Sequence, residues 1–207
     1  MPTLAITNEE AKRIRSSVRG KVELYGRLYY RISAAFYLIT VRHKEIMELI
    51  QLNENELKML RDGQSELKYM IDGIPPNHVL DRSLNHYRDS ICEVWSLPYF
   101  IKSNDQLIGS CGFKNPPIEC RVEIGYNVAF GVQGKGIATF AVNKLCQIAF
   151  ESGLVKFVFA LISSENSASL IVVRKNRFIY KNIVMDSDGE SLECWELSNN
   201  INALENP

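Results

Sequence analysis

Two periodicities organise the chain from Met47 onward. Glu48–Leu52 alternates apolar and polar positions and predicts a first strand, with Asn53 or Asn55 placed to cap a following helix. Leu57, Leu60, Leu67, Met70 and Ile71 fall at helical spacings interrupted at Asp62-Gly63, and Gly73-Ile74-Pro75-Pro76 ends that region. Leu84, Tyr87, Ile91 and Val94 share one face of a second helix, Ser83–Val94. After Pro98 the period becomes two. Tyr99–Lys102 and Leu107–Phe113 flank Ser103-Asn104-Asp105 as a β-hairpin, and Val122–Phe130 predicts a further strand beyond the Asn115-Pro116-Pro117 loop. Ile137–Glu151 carries the apolar stripe Ile137, Phe140, Ala141, Leu145, Ile148 and Ala149, and Ser152-Gly153 closes it. Val155–Ile162 is almost continuously apolar, which predicts a central strand buried on both faces. A helix over Ser167–Lys175 and strands over Phe178–Met185 and Leu192–Leu197, joined at Asp186-Ser187-Asp188-Gly189, complete the pattern. The fold class expected is α/β (α+β), with about six or seven strands around one sheet.

Residues 1–46 lack this regularity. Lys12–Arg31 is basic and polar, and the apolar run Ile32–Val41, broken by Ser33 and Thr40, is too short to span a bilayer. It also begins late for a signal peptide, with no small-residue cleavage site before Arg42, His43 and Lys44. Charge sharpens the boundary: residues 1–46 hold nine Lys/Arg against four Asp/Glu, and residues 47–207 hold fifteen against twenty. The expected division is an N-terminal extension over 1–46 and one domain over 47–207. The extension is a helical appendage, an arm for a partner or membrane surface, or a segment absent from the natural product. That third option rests on Met47, which opens MELIQLNENELKML as a domain would begin, after Lys44-Glu45, a pair that purine-rich codons can encode. N-terminal sequencing of the natively expressed protein checks it, and a chain starting near residue 1 rules it out.

Composition adds exclusions more than assignments. A formal net charge of zero gives no reason to expect nucleic acid as a partner. Five cysteines, odd in number and without paired spacing, read as reduced thiols of a cytoplasmic protein. His43, His78 and His86 have no metal-ligand spacing, so no metal is expected.

Chemistry concentrates in Arg121–Thr139, where a strand feeds a loop with Gly131, Gly134 and Gly136 and then a helix start. Unpaired backbone N–H groups and the helix dipole favour an anion there. A P-loop is excluded because Gly134-Lys135 is followed by Gly136, not Ser or Thr, and Ala129 holds the place of its first glycine. A dinucleotide fingerprint is excluded because Thr139 stands where its third glycine belongs. The pattern Q/R-x-x-G-x-G/A fits Gln133-Gly134-Lys135-Gly136-Ile137-Ala138. That block resembles the coenzyme A pyrophosphate loop of the GNAT superfamily of N-acetyltransferases. Ile108–Phe113, Val122–Tyr126, Ala138-Thr139 and Glu165–Ser169 follow in the family's order and spacing, so the resemblance covers roughly Glu48 to Leu197. Arg174-Lys175-Asn176-Arg177-Phe178 resembles the closing block of the branch that acetylates ribosomal-protein N-termini, with Arg177 where glycine is usual. Phe130-Gly131 departs from the proline that often precedes the loop.

The resemblance implies a mostly antiparallel sheet with a V-shaped split between its two central strands, into which the pantetheine arm of acetyl-CoA fits as co-substrate. It implies pairing of that arm with the backbone of Val128 and Phe130, and contact between the cofactor and Gln133, Gly134, Lys135, Gly136, Ile137, Ala138 and Asn166. Asn166 is equally placed to cap the helix at Ser167. Glu123 is either a general base or an orienting carboxylate, and Ser169 either a donor to the leaving sulfur or a first-turn helix serine. Val173 stands where many relatives have a tyrosine acid. Trp95 and Tyr99, with Arg88, are candidates for acceptor contact, with core packing the competing role of Trp95. The function implied is transfer of an acetyl group to a primary amine, a protein N-terminus or a small molecule, by a monomer or homodimer without stable membrane insertion. The acidic excess of residues 47–207 leans weakly toward a cationic amine. The competing class is an acyl-CoA-binding module without turnover.

Overall fold

In a computed structural model the chain is described over residues 47–89 and 92–199, all within the compact unit Ile46–Pro207. The expectations for residues 1–46 lie outside the described residues.

Strand β1 (Met47–Gln51) leads into helix α1 (Glu54–Arg61). Asn53 caps that helix in both directions: its side chain accepts from Glu56 N–H at 3.0 Å, and Glu56 Oε2 accepts from Asn53 N–H at 2.9 Å. A reciprocal cap of this kind contributes about 1 kcal/mol. The helix stops at Arg61, and Gly63 takes a left-handed φ of 69°. Leu67, Met70 and Ile71 therefore do not continue it. Lys68–Tyr69 is a two-residue strand, β2, and Ile71–Gly73 a single 3-10 turn. Helix α2 (Asn77–Arg88) begins before the expected Ser83, because Pro76 supplies a helix-starting φ of −64° just ahead of it. A separate turn, α3 (Glu93–Ser96), follows.

The hairpin forms as expected from β3 (Tyr99–Ser103) and β4 (Gln106–Phe113). Asn104 and Asp105 have φ of 48° and 61°, the two left-handed residues of a tight primed turn. Then come β5 (Arg121–Val128), α4 (Ile137–Glu151), β6 (Phe157–Ser163), α5 (Ser167–Lys175), β7 (Ile179–Met185) and β8 (Ser191–Ser198). The sheet order is β1-β3-β4-β5-β6-β8-β7, with β2 alongside β4. Neighbours on the main path run antiparallel except β5 and β6, which are parallel because α4 crosses over between them.

Helices flank both faces. Tyr99 and Ile101 belong to the larger core cluster with Val122, Ile124, Ala141 and Leu145, while Phe100 between them belongs to a smaller one with Leu57, Leu80 and Leu84. Adjacent strand residues point to opposite faces, so α4 and the α1–α2 pair lie on opposite sides of the sheet. Strand β6 corrects the expectation of burial on both faces. Val158, Ala160 and Ile162 are buried, whereas Phe157, Phe159 and Leu161 are only half-buried. On the half-buried row Arg121 covers Phe159, its guanidinium 5.2 Å from the ring centroid. Cys111, Cys146 and Cys194 are buried free thiols, and Cys92 and Cys120 are exposed ones.

Candidate active site

The sheet opens at its centre. β5 and β6 pair only over Arg121↔Phe157, Val122↔Val158 and Glu123↔Phe159. Beyond that, β5 stays with β4 as far as Gly109↔Val128, while β6 stays with β8 as far as Ser163↔Leu192. The two central strands therefore diverge. Glu123 C=O accepts from Lys114 N–H and Ala129 N–H donates to Ile108 C=O, so odd-numbered residues of β5 turn their backbone toward β4. Tyr126 and Val128 then turn theirs toward the gap. Close approach of β4 to β5 at the same level depends on Gly109, where a Cβ would lie 2.7 Å from the Asn127 carbonyl oxygen.

At one end of the gap lies the start of α4. Gly136 caps it with a left-handed φ of 82°, and the first intrahelical bond runs from Phe140 N–H to Gly136 C=O at 3.0 Å. The N–H groups of Ile137, Ala138 and Thr139 precede that bond, and no acidic residue occupies the first turn. A Cβ at Gly134 or Gly136 would meet no atom within 4 Å, so the backbone is open on that side of both glycines, and both line the cleft with Ile137, Ala138 and Thr139. An oxyanion fits there. Gln133 folds back, its Nε2 donating to Val128 C=O at 2.9 Å.

The far wall is α5. Asn166 Oδ1 accepts from Ser169 N–H at 3.0 Å, so it caps the helix and faces the cleft at once. Tyr126 bridges the gap from β5, its hydroxyl donating to Ser169 C=O at 3.2 Å. Burial pushes the Tyr126 phenol above its ordinary value, with the Ser169 contact opposing. Of the residues singled out in the sequence, the cleft brings together Val128, Gln133, Gly134, Gly136, Ile137, Ala138, Asn166 and Ser169.

Three do not line it. Lys135 is exposed beside the loop. Phe130 is 83% exposed, and its N–H is already engaged by Asp72 Oδ2 at 2.7 Å. Glu123 points to the opposite face of β5 from Val122 and Ile124. Its Oε1 is withdrawn from solvent and meets Lys114 Nζ at 2.5 Å, a contact of charges without a well-directed hydrogen bond.

A second pocket opens against β4 and β5 from the side of α2 and shares Tyr126 and Asn127 with the cleft. Arg82, His86 and Lys114 line it. The sequence pointed instead to Trp95, Tyr99 and Arg88. Trp95 and Tyr99 are buried, with Trp95 packed on Phe113 at 4.7 Å between centroids, and Arg88 pairs with Glu54 at 3.3 Å. Core packing accounts for both aromatics. Tyr126, Asp72 and Lys175 were not singled out as site residues, although Tyr126 and Lys175 line the cleft. Tyr126 is the one aromatic of β5, although the strand as read from the sequence, Val122–Phe130, also held Phe130. Asp72 carried no signal, because its contact with Phe130 spans 58 positions.

The model of the acetyltransferase (GNAT) domain family matches residues 37–179. An uncharacterized N-acetyltransferase p20 of Bacillus licheniformis is 33% identical over 87 residues, covering 42% of this chain and 49% of that protein; the match thus spans about half of that relative's length. Among solved structures, RimJ of Mycobacterium smegmatis in complex with CoA-disulfide superposes with a TM-score of 0.57 at 16% identity, covering 75% of this chain and 83% of that one. Aminoglycoside acetyltransferase AAC(6')-Ib in complex with coenzyme A gives 0.55 at 18%, covering 75% and 96%. A spermidine N-acetyltransferase SpeG chimera from Vibrio cholerae gives 0.56 at 16%, covering 73% and 95%. These likenesses are of fold.

Proposed function

The chain belongs to the GNAT acetyltransferase family, and from that premise we propose that it transfers an acetyl group from acetyl-CoA to a primary amine in a ternary complex. The observation that supports this most is the gap between β5 and β6, with the N-terminus of α4 at one end and a second pocket meeting it at Tyr126 and Asn127.

In this reading the pyrophosphate sits on the N–H groups of Gly134 to Thr139, with Lys135 and Lys175 adding positive charge. The pantetheine arm lies along the free edge of β5, and one of its amides takes over the Val128 carbonyl that Gln133 now caps. Asn166 borders the same path from the other wall. Phe130 serves indirectly: Asp72 ties down its N–H and so fixes where the chain leaves β5 for the loop. The amine enters from the second pocket and attacks the thioester carbon. The new C–N bond forms, the C–S bond breaks, the thiolate takes one proton and the amine gives one up. Glu123 takes the orienting role, holding Lys114 at the rim of the amine pocket.

The test is calorimetric titration with acetyl-CoA combined with thiol release across a panel of amines that includes ribosomal proteins. Binding with amine-dependent thiol release is expected. Binding without release for every amine would make the protein an acyl-CoA-binding module, and absence of binding would remove the reading altogether.

A further inference from the structure

We infer that the amine acceptor carries an anionic group, a carboxylate or a phosphate, which Arg82 receives in the second pocket. The inference rests on the transferase reading above. It concerns the pocket's charge, which is opposite in sign to that of the domain around it.

The domain over 47–207 has an acidic excess, yet the pocket is lined by Arg82, His86 and Lys114 and by no aspartate or glutamate among the described residues. Arg82 and His86 stand one turn apart on α2 and so present one face to the cavity. Arg82 is exposed and takes part in no ion pair among the described residues, in contrast to Arg61 and Arg88 of the same region, which pair with Asp81 and Glu54. Lys114 has its partner in Glu123, the nearest carboxylate along β5, and that pairing leaves Glu123 facing an ammonium already in place. The remaining wall is largely apolar, with Pro75, Pro76, Val79 and Phe113.

A polycation entering such a cavity would meet fixed positive charge with no carboxylate to receive its second ammonium. An amine joined through a short apolar frame to an anion fits both ends: the amine reaches Tyr126 and the shared edge of the cleft, and the anion meets the guanidinium fork. Two structural neighbours are a spermidine N-acetyltransferase and an aminoglycoside acetyltransferase, whose namesake acceptors are polycations. The pocket therefore separates this chain from those activities while the fold does not.

Two dipeptides differing only in the anion decide it: Gly-Phe and Gly-Phe amide, with O-phosphoethanolamine and spermidine as further arms. Thiol release from acetyl-CoA is expected to favour Gly-Phe over its amide by about tenfold in kcat/KM, with spermidine below both, from the usual strength of a charge-assisted contact. Turnover of O-phosphoethanolamine above the amide assigns the site to phosphate as well as carboxylate. Arg82→Ala is expected to erase the preference without moving the Kd for acetyl-CoA. Preference for spermidine or the amide, or a preference that survives Arg82→Ala, overturns the inference and leaves the transferase reading standing. Calorimetry of the same amines on the coenzyme A-loaded protein covers the reverse case. Anion-selective binding without thiol release keeps the inference about the pocket and removes the transferase. Absence of binding by every amine overturns both.

Discussion

Replacing Gly136 with aspartate is expected to raise the Kd for acetyl-CoA about 100-fold while moving the melting temperature by only a few degrees. Two separate effects meet at this residue. Its φ of 82° lies in the left-handed region, where a side chain costs about 1–2 kcal/mol, and aspartate is among the residues that tolerate it best. No atom lies within 4 Å of the added Cβ, so there is no steric term. A carboxylate at the start of α4 also gains about 0.3–1 kcal/mol from the helix dipole, in a first turn that holds no acid of its own. The fold is thus nearly indifferent. The cofactor is not, because the new charge stands at the site proposed for the diphosphate. At a separation of about 5 Å and an intermediate dielectric, each like-charge pair costs about 1–2 kcal/mol, and two such pairs reach the stated factor. Gly136→Ala carries only the backbone strain, so its effect on Kd is a few-fold. Calorimetric titration of both variants, alongside thermal melts, reads the difference. Equal affinity for wild type and Gly136→Asp would move the phosphate site away from α4.

The parts of this site legible in the sequence are those made of contiguous residues. The Gly134–Ala138 loop and the bounds of α4 follow from local rules: positive φ at glycine, an apolar stripe of period 3.6, and a helix start without its own cap. Asn166 was legible for a similar reason, since a cap acts over three residues. The second pocket, proposed for the amine, was not legible in this way. It is assembled from α2, α3 and the β4–β5 pair, and no local pattern tells that Arg82 faces β4 while Arg88, six residues on, turns to Glu54. Pro75-Pro76 misled the reading of α2 because a proline pair marks a break from either side. Here it begins the helix that carries Arg82. The β6 pattern misled for a different reason. An apolar run reports the capacity to be buried, and only tertiary placement decided that Phe157, Phe159 and Leu161 stay half-buried. The ion pair at Glu123 belongs to this class too, since Lys114 lies across from it, one residue past the end of β4.

Tyr126→Phe is expected to lower kcat about 100-fold with the Kd for acetyl-CoA changed by less than about threefold, the signature of a lost proton donor. The family's usual tyrosine acid is excluded here by Val173, which is fully buried in the core. In the proposed reaction the departing thiolate requires a proton, and among the described residues Tyr126, Thr139 and Ser169 bring hydroxyls to the cleft. Ser169 lines the cleft alone, whereas Tyr126 lines both the cleft and the amine pocket and spans the gap between them. Of the three, only Tyr126 lines both the path proposed for the sulfur and the pocket proposed for the amine. Its hydroxyl donates to Ser169 C=O at 3.2 Å, a contact it gives up for the sulfur in this reading. Burial raises the phenol above its ordinary value, so the proton is retained across neutral pH. The sign follows. Activity that depends on this O–H persists through about pH 9 and declines only above the ordinary tyrosine range near 10. In Tyr126→Phe that alkaline decline is absent from a profile already lowered throughout. Ser169→Ala keeps the backbone carbonyl that Tyr126 uses and is expected to cost only a few-fold. The reverse ranking, a large loss in Ser169→Ala with Tyr126→Phe near wild type, would give the proton to the serine. A melting temperature for Tyr126→Phe close to wild type, read beside an unchanged Kd, separates the missing proton from a loosened gap.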